Sequence, residues 1–105
     1  MHGLIVKMKS TEGDRDQLAA VLLGAMTDLP GCLSYVVAND TEDDDALWVS
    51  EVWTNSAAHA SSLSMPGVQE AIQRAKPILA GFDERIITEP VGGLGIEPGV
   101  AAADA

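Results

Sequence analysis

Two runs of alternating polarity, Cys32–Asn39 and Ala46–Trp53, are separated by only six residues, five of them acidic. Two extended runs joined by so short and charged a link predict an antiparallel hairpin with a solvated turn. On both sides of this hairpin the apolar period changes from two to that of a helix. Upstream, a strand over Gly3–Lys9 and a turn at Ser10–Gly13 precede an apolar stripe of Leu18, Val21, Leu22, Ala25, Met26 and Leu29. Asp14 with Gln17 resembles a capping box at its start, and Pro30-Gly31 stops it. Downstream, Thr54 or Asn55 caps a short helix through Leu63. A second helix begins at Pro66, with a stripe of Val68, Ala71, Ile72 and Ala75. A last strand spans Phe82–Glu89, bounded by Gly81 and Pro90. The order strand, helix, strand, strand, helix pair, strand predicts an α+β, ferredoxin-like sandwich.

In that fold the helices cover one face of the sheet and leave the other bare. An exposed face of Val, Leu and Ile is unfavourable by about 25 cal/mol per Å² of apolar surface. A second copy, sheet against sheet, removes that surface, so a homodimer is expected. Residues 1–93 form the expected single domain. From Gly92 the composition shifts to Gly, Ala and Pro without periodicity, and residues 94–105 read as a flexible tail, or an arm laid on a partner.

Sixteen acidic residues against six basic ones give a formal charge of −10. Phosphate neutralisation needs clustered Lys and Arg, so the charge excludes nucleic acid and argues against anionic membranes. No apolar run reaches the length of a membrane span, and Met1–Leu4 does not open a signal peptide. Cys32 is the single cysteine, so the expected setting is reduced and cytoplasmic. Asp43-Asp44-Asp45 lacks the glycine and distal glutamate of a calcium loop, and Cys/His zinc spacing is absent, so no metal is expected. Gly92-Gly93-Leu94-Gly95 does not lead a strand into a helix and is no phosphate cradle.

The candidate site is the segment Ala46–His59. Glu51 and Trp53 are two residues apart on one strand and share a face of the sheet. His59, in the helix that follows, can lean back over that face. Each has a plainer reading. Glu51 can pair with Arg74, Arg85 or a lysine. Trp53 can close the core, and His59 can be a surface residue.

Four pieces of the chain together carry a family pattern: Leu29-Pro-Gly-Cys-Leu-Ser-Tyr35, Glu51-Val-Trp-Thr-Asn-Ser-Ala-Ala-His59, Pro66-Gly-Val-Gln-Glu-Ala-Ile72 and Glu89-Pro-Val-Gly-Gly93. With these the chain resembles the antibiotic biosynthesis monooxygenase (ABM) family, and within it the small quinol-monooxygenase-like proteins. The resemblance implies a dimeric α+β barrel. It also implies a pocket between sheet and helices where a hydroquinone, phenol or anthrone is oxidised by O₂ without metal, flavin or haem. The haem-degrading branch needs an asparagine on the first strand and a histidine on the later helix. Neither is here.

Chemistry of that kind needs a base for the substrate's proton, an aromatic seat and a stabiliser for developing oxyanions. His59 suits the first because its ordinary pKa is about 6.5. Trp53 and Tyr35 can stack on the ring, Glu51 can orient the histidine or polarise the phenol, and Arg74 can stabilise an oxyanion. Tyr35 and Arg74 read equally as packing and as a solvated charge. Cys32 reads as a small buried residue. The leading expectation is a cofactor-independent monooxygenase acting on a small electron-rich aromatic. A dimeric barrel that only binds a small molecule, and an interaction or stress-related barrel protein, stay open beside it.

Overall fold

The computed structural model describes residues 1–96. Its elements are β1 (His2–Ser10), α1 (Arg15–Ala25), β2 (Cys32–Asn39), β3 (Ala46–Trp53), α2 (Ser56–Ser62), α3 (Pro66–Ala75), a 3₁₀ turn over Lys76–Ile78 and β4 (Leu79–Thr88). The four strands form one sheet in the order β2-β3-β1-β4, and every neighbouring pair is antiparallel. This is the α+β, ferredoxin-like arrangement. No helix among the described residues is long and apolar enough to cross a membrane.

Register decides what each face carries. Leu4 and Tyr35 both lie opposite Glu51, and His2 and Cys32 lie opposite Trp53. Those residues share the face under the helices with Val6, Met8, Val37, Leu47 and Val49. Leu18 and Val21 of α1, with Ala75 and Ile78, close a core over Leu47 and Val49. The other face carries a row from Val36 through Ser50 and Ile5 to Ile86. Val36 and Ile86 are exposed.

The two hairpin strands occupy the residues expected of them, because their alternation is undisturbed. Other boundaries shift for local reasons. Helix α1 ends at Ala25 with Met26 as its C-cap, short of Leu29. Thr27 and Asp28 are poor helix formers, Asp28 turns to a φ of 56°, and Pro30 disfavours a helical Leu29. Asp14 stands at the N-cap without a side-chain cap bond, and its carboxylate instead accepts the Thr11 hydroxyl at 2.5 Å. Strand β4 starts three residues before Phe82, since Leu79 pairs with Ser10 after two register shifts. The expected tail lies mostly outside the described residues. Its first part is a turn in which the Ile96 N–H donates to the Gly93 carbonyl across 3.2 Å.

The acidic turn is held from within. Arg15 Nη1 donates to the carbonyls of Asp40 at 3.2 Å and Asp43 at 2.9 Å. Lys9 pairs with Asp43 at 2.9 Å. The Trp48 indole N–H donates to Asp40 Oδ2 at 2.8 Å and, with the Glu42 and Asp43 amides, pushes the Asp40 carboxyl down to about 2. Arginine thus sits where the carbonyls converge, and the carboxylates stay at the rim.

Candidate active site

The end of β3 supplies the first two groups. The two-residue period of the strand puts Glu51 and Trp53 side by side, and the Trp53 indole N–H donates to Glu51 Oε1 at 3.0 Å. Trp53 is 1% exposed, so this donor is fixed in the core. Glu51 is partly buried, and a carboxylate withdrawn from water is stabilised by such a donor.

A tight junction turns the chain into α2. The Thr54 N–H donates to the Gly31 carbonyl at 2.9 Å, and Asn55 caps the helix by accepting from the Ala58 N–H at 2.8 Å. Gly31 has a φ of 81°, and a β-carbon on it would stand 2.6 Å from that of Ala58. Only glycine allows this approach. The approach brings His59 over the sheet. Its Nε2 lies 4.0 Å from Glu51 Oε1, and its ring is tilted 51° to Trp53 with centroids 5.3 Å apart. Glu51 makes no ion pair with Arg74, Arg85 or a lysine among the described residues.

Tyr35 stands across the ladder from Glu51. Burial holds its hydroxyl protonated well above the ordinary phenol range, and the Glu51 charge adds to the effect. Burial also pushes the Cys32 thiol up, again with help from Glu51. Tyr35 is therefore a hydrogen-bond donor at any ordinary pH.

Tyr35, Glu51, Trp53 and His59 border one cleft of about 360 Å³ between the sheet and the helices. Its walls are apolar, among them Leu22, Met26, Val68 and Ile72, with half-exposed Leu63 and Phe82 also lining it. Four of the five residues expected at the site thus meet. Arg74 does not join them. It lines a separate depression between α1 and α3, beside Thr27 and Glu70. The basic residue at the cleft is Lys76, just past α3. A second group missed from sequence is His2, whose ring stacks on His59 at a centroid distance of 5.7 Å and an angle of 26°. No signal in the chain marks either one, because each reaches the site only through strand pairing or helix end geometry. Among the described residues no group of three or more His, Cys, Asp or Glu is arranged to hold a metal ion.

The cleft can take a flat apolar molecule of modest size and offer it one acceptor, one donor and one titratable imidazole. Comparison with known proteins agrees with this architecture. Residues 1–74 match the family model described as antibiotic biosynthesis monooxygenase. The crystal structure of a candidate antibiotic biosynthesis monooxygenase from Chloroflexus aurantiacus J-10-fl is 51% identical, with a TM-score of 0.89 over 91% of this chain and 98% of that one. Structures from Deinococcus radiodurans (23% identity, TM-score 0.73, 92% and 99% covered) and Pseudomonas aeruginosa (17%, 0.75, 87% and 94%) share the fold. No curated protein matches the sequence.

Proposed function

The chain belongs to the antibiotic biosynthesis monooxygenase family, and we propose that it is a cofactor-independent monooxygenase for a small, uncharged, electron-rich aromatic of the quinol, phenol or anthrone type. The observation that carries this reading is the meeting of Glu51, Trp53, His59 and Tyr35 on one apolar cleft. His59 takes the substrate's acidic proton, the general-base role an imidazole most often fills. Glu51, held by Trp53, keeps the resulting imidazolium in place by charge. Tyr35 donates to the oxygen on which negative charge develops. Trp53 forms part of the wall against which the ring lies.

The deprotonated substrate supplies the electrons. For a ring CH₂ the balance is R₂CH₂ + O₂ → R₂C=O + H₂O. One oxygen atom becomes the carbonyl, and the other leaves as water with both hydrogens. Apolar walls keep bulk water from the intermediates. With one carboxylate and one lysine on otherwise apolar walls, the lining carries no net charge to draw in an ion, so the ligand enters neutral.

The homodimer belongs to the same reading, with the bare sheet faces of two copies against each other and the clefts on the outer side. So does a cytoplasmic setting. Oxygen uptake with a panel of hydroquinones, phenols and anthrones tests the activity. Uptake above the spontaneous rate is expected, with a loss of about 10²–10⁴-fold in His59→Ala. Ligand-dependent thermal stabilisation with no uptake for any compound would replace the oxygenase by a small-molecule-binding barrel.

A further inference from the structure

Phe82 is the chain's single phenylalanine, yet it is 60% exposed and takes no part in the core. A bulge in β4 decides where it stands. Lys7 pairs with Glu84 and Met8 with Phe82, so Asp83 is an extra residue between two rungs of the ladder. In an unbroken ladder Asp83 would stand opposite Met8, on the face under the helices. The bulge gives that position to the phenyl ring, which borders the cleft while Asp83 does not. Core packing does not account for a ring held there.

The ring lies at the far end of the cleft from the polar groups. Glu51 pairs with Leu4, four residues before Met8 on β1, and β3 and β4 flank β1 on opposite sides. Strand rise and spacing then set the backbones of Glu51 and Phe82 about 16 Å apart along the floor of the cleft. Lys76, three residues before the Leu79–Ser10 rung, borders the same far end. A single ring seated on His59 and Glu51 leaves that end unfilled. We propose that Phe82 is a specificity-determining residue, placed by the bulge so that the cleft selects planar aromatics of two or more fused rings over a single-ring quinol. This rests on the reading of the cleft as the seat of an electron-rich aromatic, and narrows which aromatics it takes. The reacting ring lies against Trp53 and His59. The outer ring packs against Phe82, and Lys76 is the donor for an oxygen carried at that end.

Anaerobic titration calorimetry with anthrone and with hydroquinone tests this without turnover. The wild type binds anthrone the more tightly. In Phe82→Ala the affinity for anthrone falls about tenfold and that for hydroquinone less than about twofold. Phe82→Leu, which keeps an apolar side chain, loses less than Phe82→Ala. Ile87→Ala is the control, since Ile87 shares the strand and the sheet face, is 53% exposed and does not border the cleft. It leaves both affinities at the wild-type level. Equal losses for the two probes in Phe82→Ala, no loss for either, or no preference for anthrone in the wild type overturns the proposal. So does a change of sedimentation in Phe82→Ala with the ranking of the probes unmoved, because the ring then belongs to an interface between copies. A selective loss of anthrone binding without oxygen uptake by any compound upholds Phe82 while the oxygenase reading falls. Uptake without preference between the probes does the reverse. Where uptake is present, Phe82→Ala raises KM for anthrone and changes kcat less, because the reacting end stays on His59.

Discussion

The Trp53 indole N–H donates to Glu51 Oε1 across 3.0 Å, from a ring that is itself 1% exposed. The bond joins a strand-closing core residue to the charged group of the cleft, so a change in either reaches both. Trp53→Phe keeps an aromatic wall but leaves Glu51 without this donor. A hydrogen bond to a charged group is worth about 1.5–3 kcal/mol, and urea denaturation of Trp53→Phe should show a loss of that size. In a Glu51→Gln background the same change should lose less, because the acceptor is no longer charged.

Tyr35 gives a second, independent readout. It is the chain's single tyrosine, so tyrosinate absorbance reports it alone. Its hydroxyl ionises above the ordinary value of 10.0, mainly because burial disfavours the phenolate. A group whose pKa is raised by folding contributes stability that is complete below the unfolded pKa. That stability is lost as pH rises past it. Alkaline titration should therefore show tyrosinate appearing together with unfolding. A simple ionisation near pH 10.0 in the folded protein would contradict the buried setting.

The geometry of α2 depends on Gly31. Its φ of 81° and the 2.6 Å approach of a would-be β-carbon to Ala58 leave no room for a side chain. Gly31→Ala adds left-handed strain of about 1–2 kcal/mol and pushes α2 away from the sheet. His59 then moves off Glu51, so activity should fall further than stability does. Gly31→Ala with Ala58→Gly removes the closer of two clashes, leaving Thr54 Oγ1 2.9 Å from the new β-carbon, and does not relieve the strain. It should recover activity more than it recovers the midpoint of thermal unfolding.

Much of this arrangement is legible in the sequence, and the reason is locality. Glu51, Trp53 and His59 lie within one strand, turn and helix, and local periods place all three on one side. Tyr35 needs one hairpin register, which the acidic turn between β2 and β3 makes short-range. His2 and Lys76 need long-range pairing, β1 against β3 and α3 against the sheet, and no local pattern marks them. Arg74 shows the limit of a helical stripe. Val68, Ala71 and Ala75 define a buried side of α3, yet the arginine between Ala71 and Ala75 turns to the α1 side, beside Glu70. The end of α1 is lost similarly, since an apolar period through Leu29 continues past the point where Asp28 turns left-handed.

The bare face of the sheet yields the last expectation. Val36, Ile5 and Ile86 line up across three strands, with Val36 and Ile86 roughly half exposed, 53% and 47%. At about 25 cal/mol per Å² an apolar row of this kind, interrupted on β3 by Ser50, favours burial, and a twofold axis lets one row cover its own copy. Beside the row, Lys7 pairs with Asp40 at 3.8 Å and lies over the Trp48 ring, and Glu84 stands across the ladder from Lys7. Sedimentation velocity should therefore show a dimer at micromolar concentration. Ile86→Asp would place two carboxylates against apolar partners and should shift the protein to monomer. Because Glu51, Trp53 and His59 lie on the opposite face, that monomer should keep the Trp53 environment seen in near-ultraviolet circular dichroism. A wild-type chain that sediments as a monomer would remove the reason for the row.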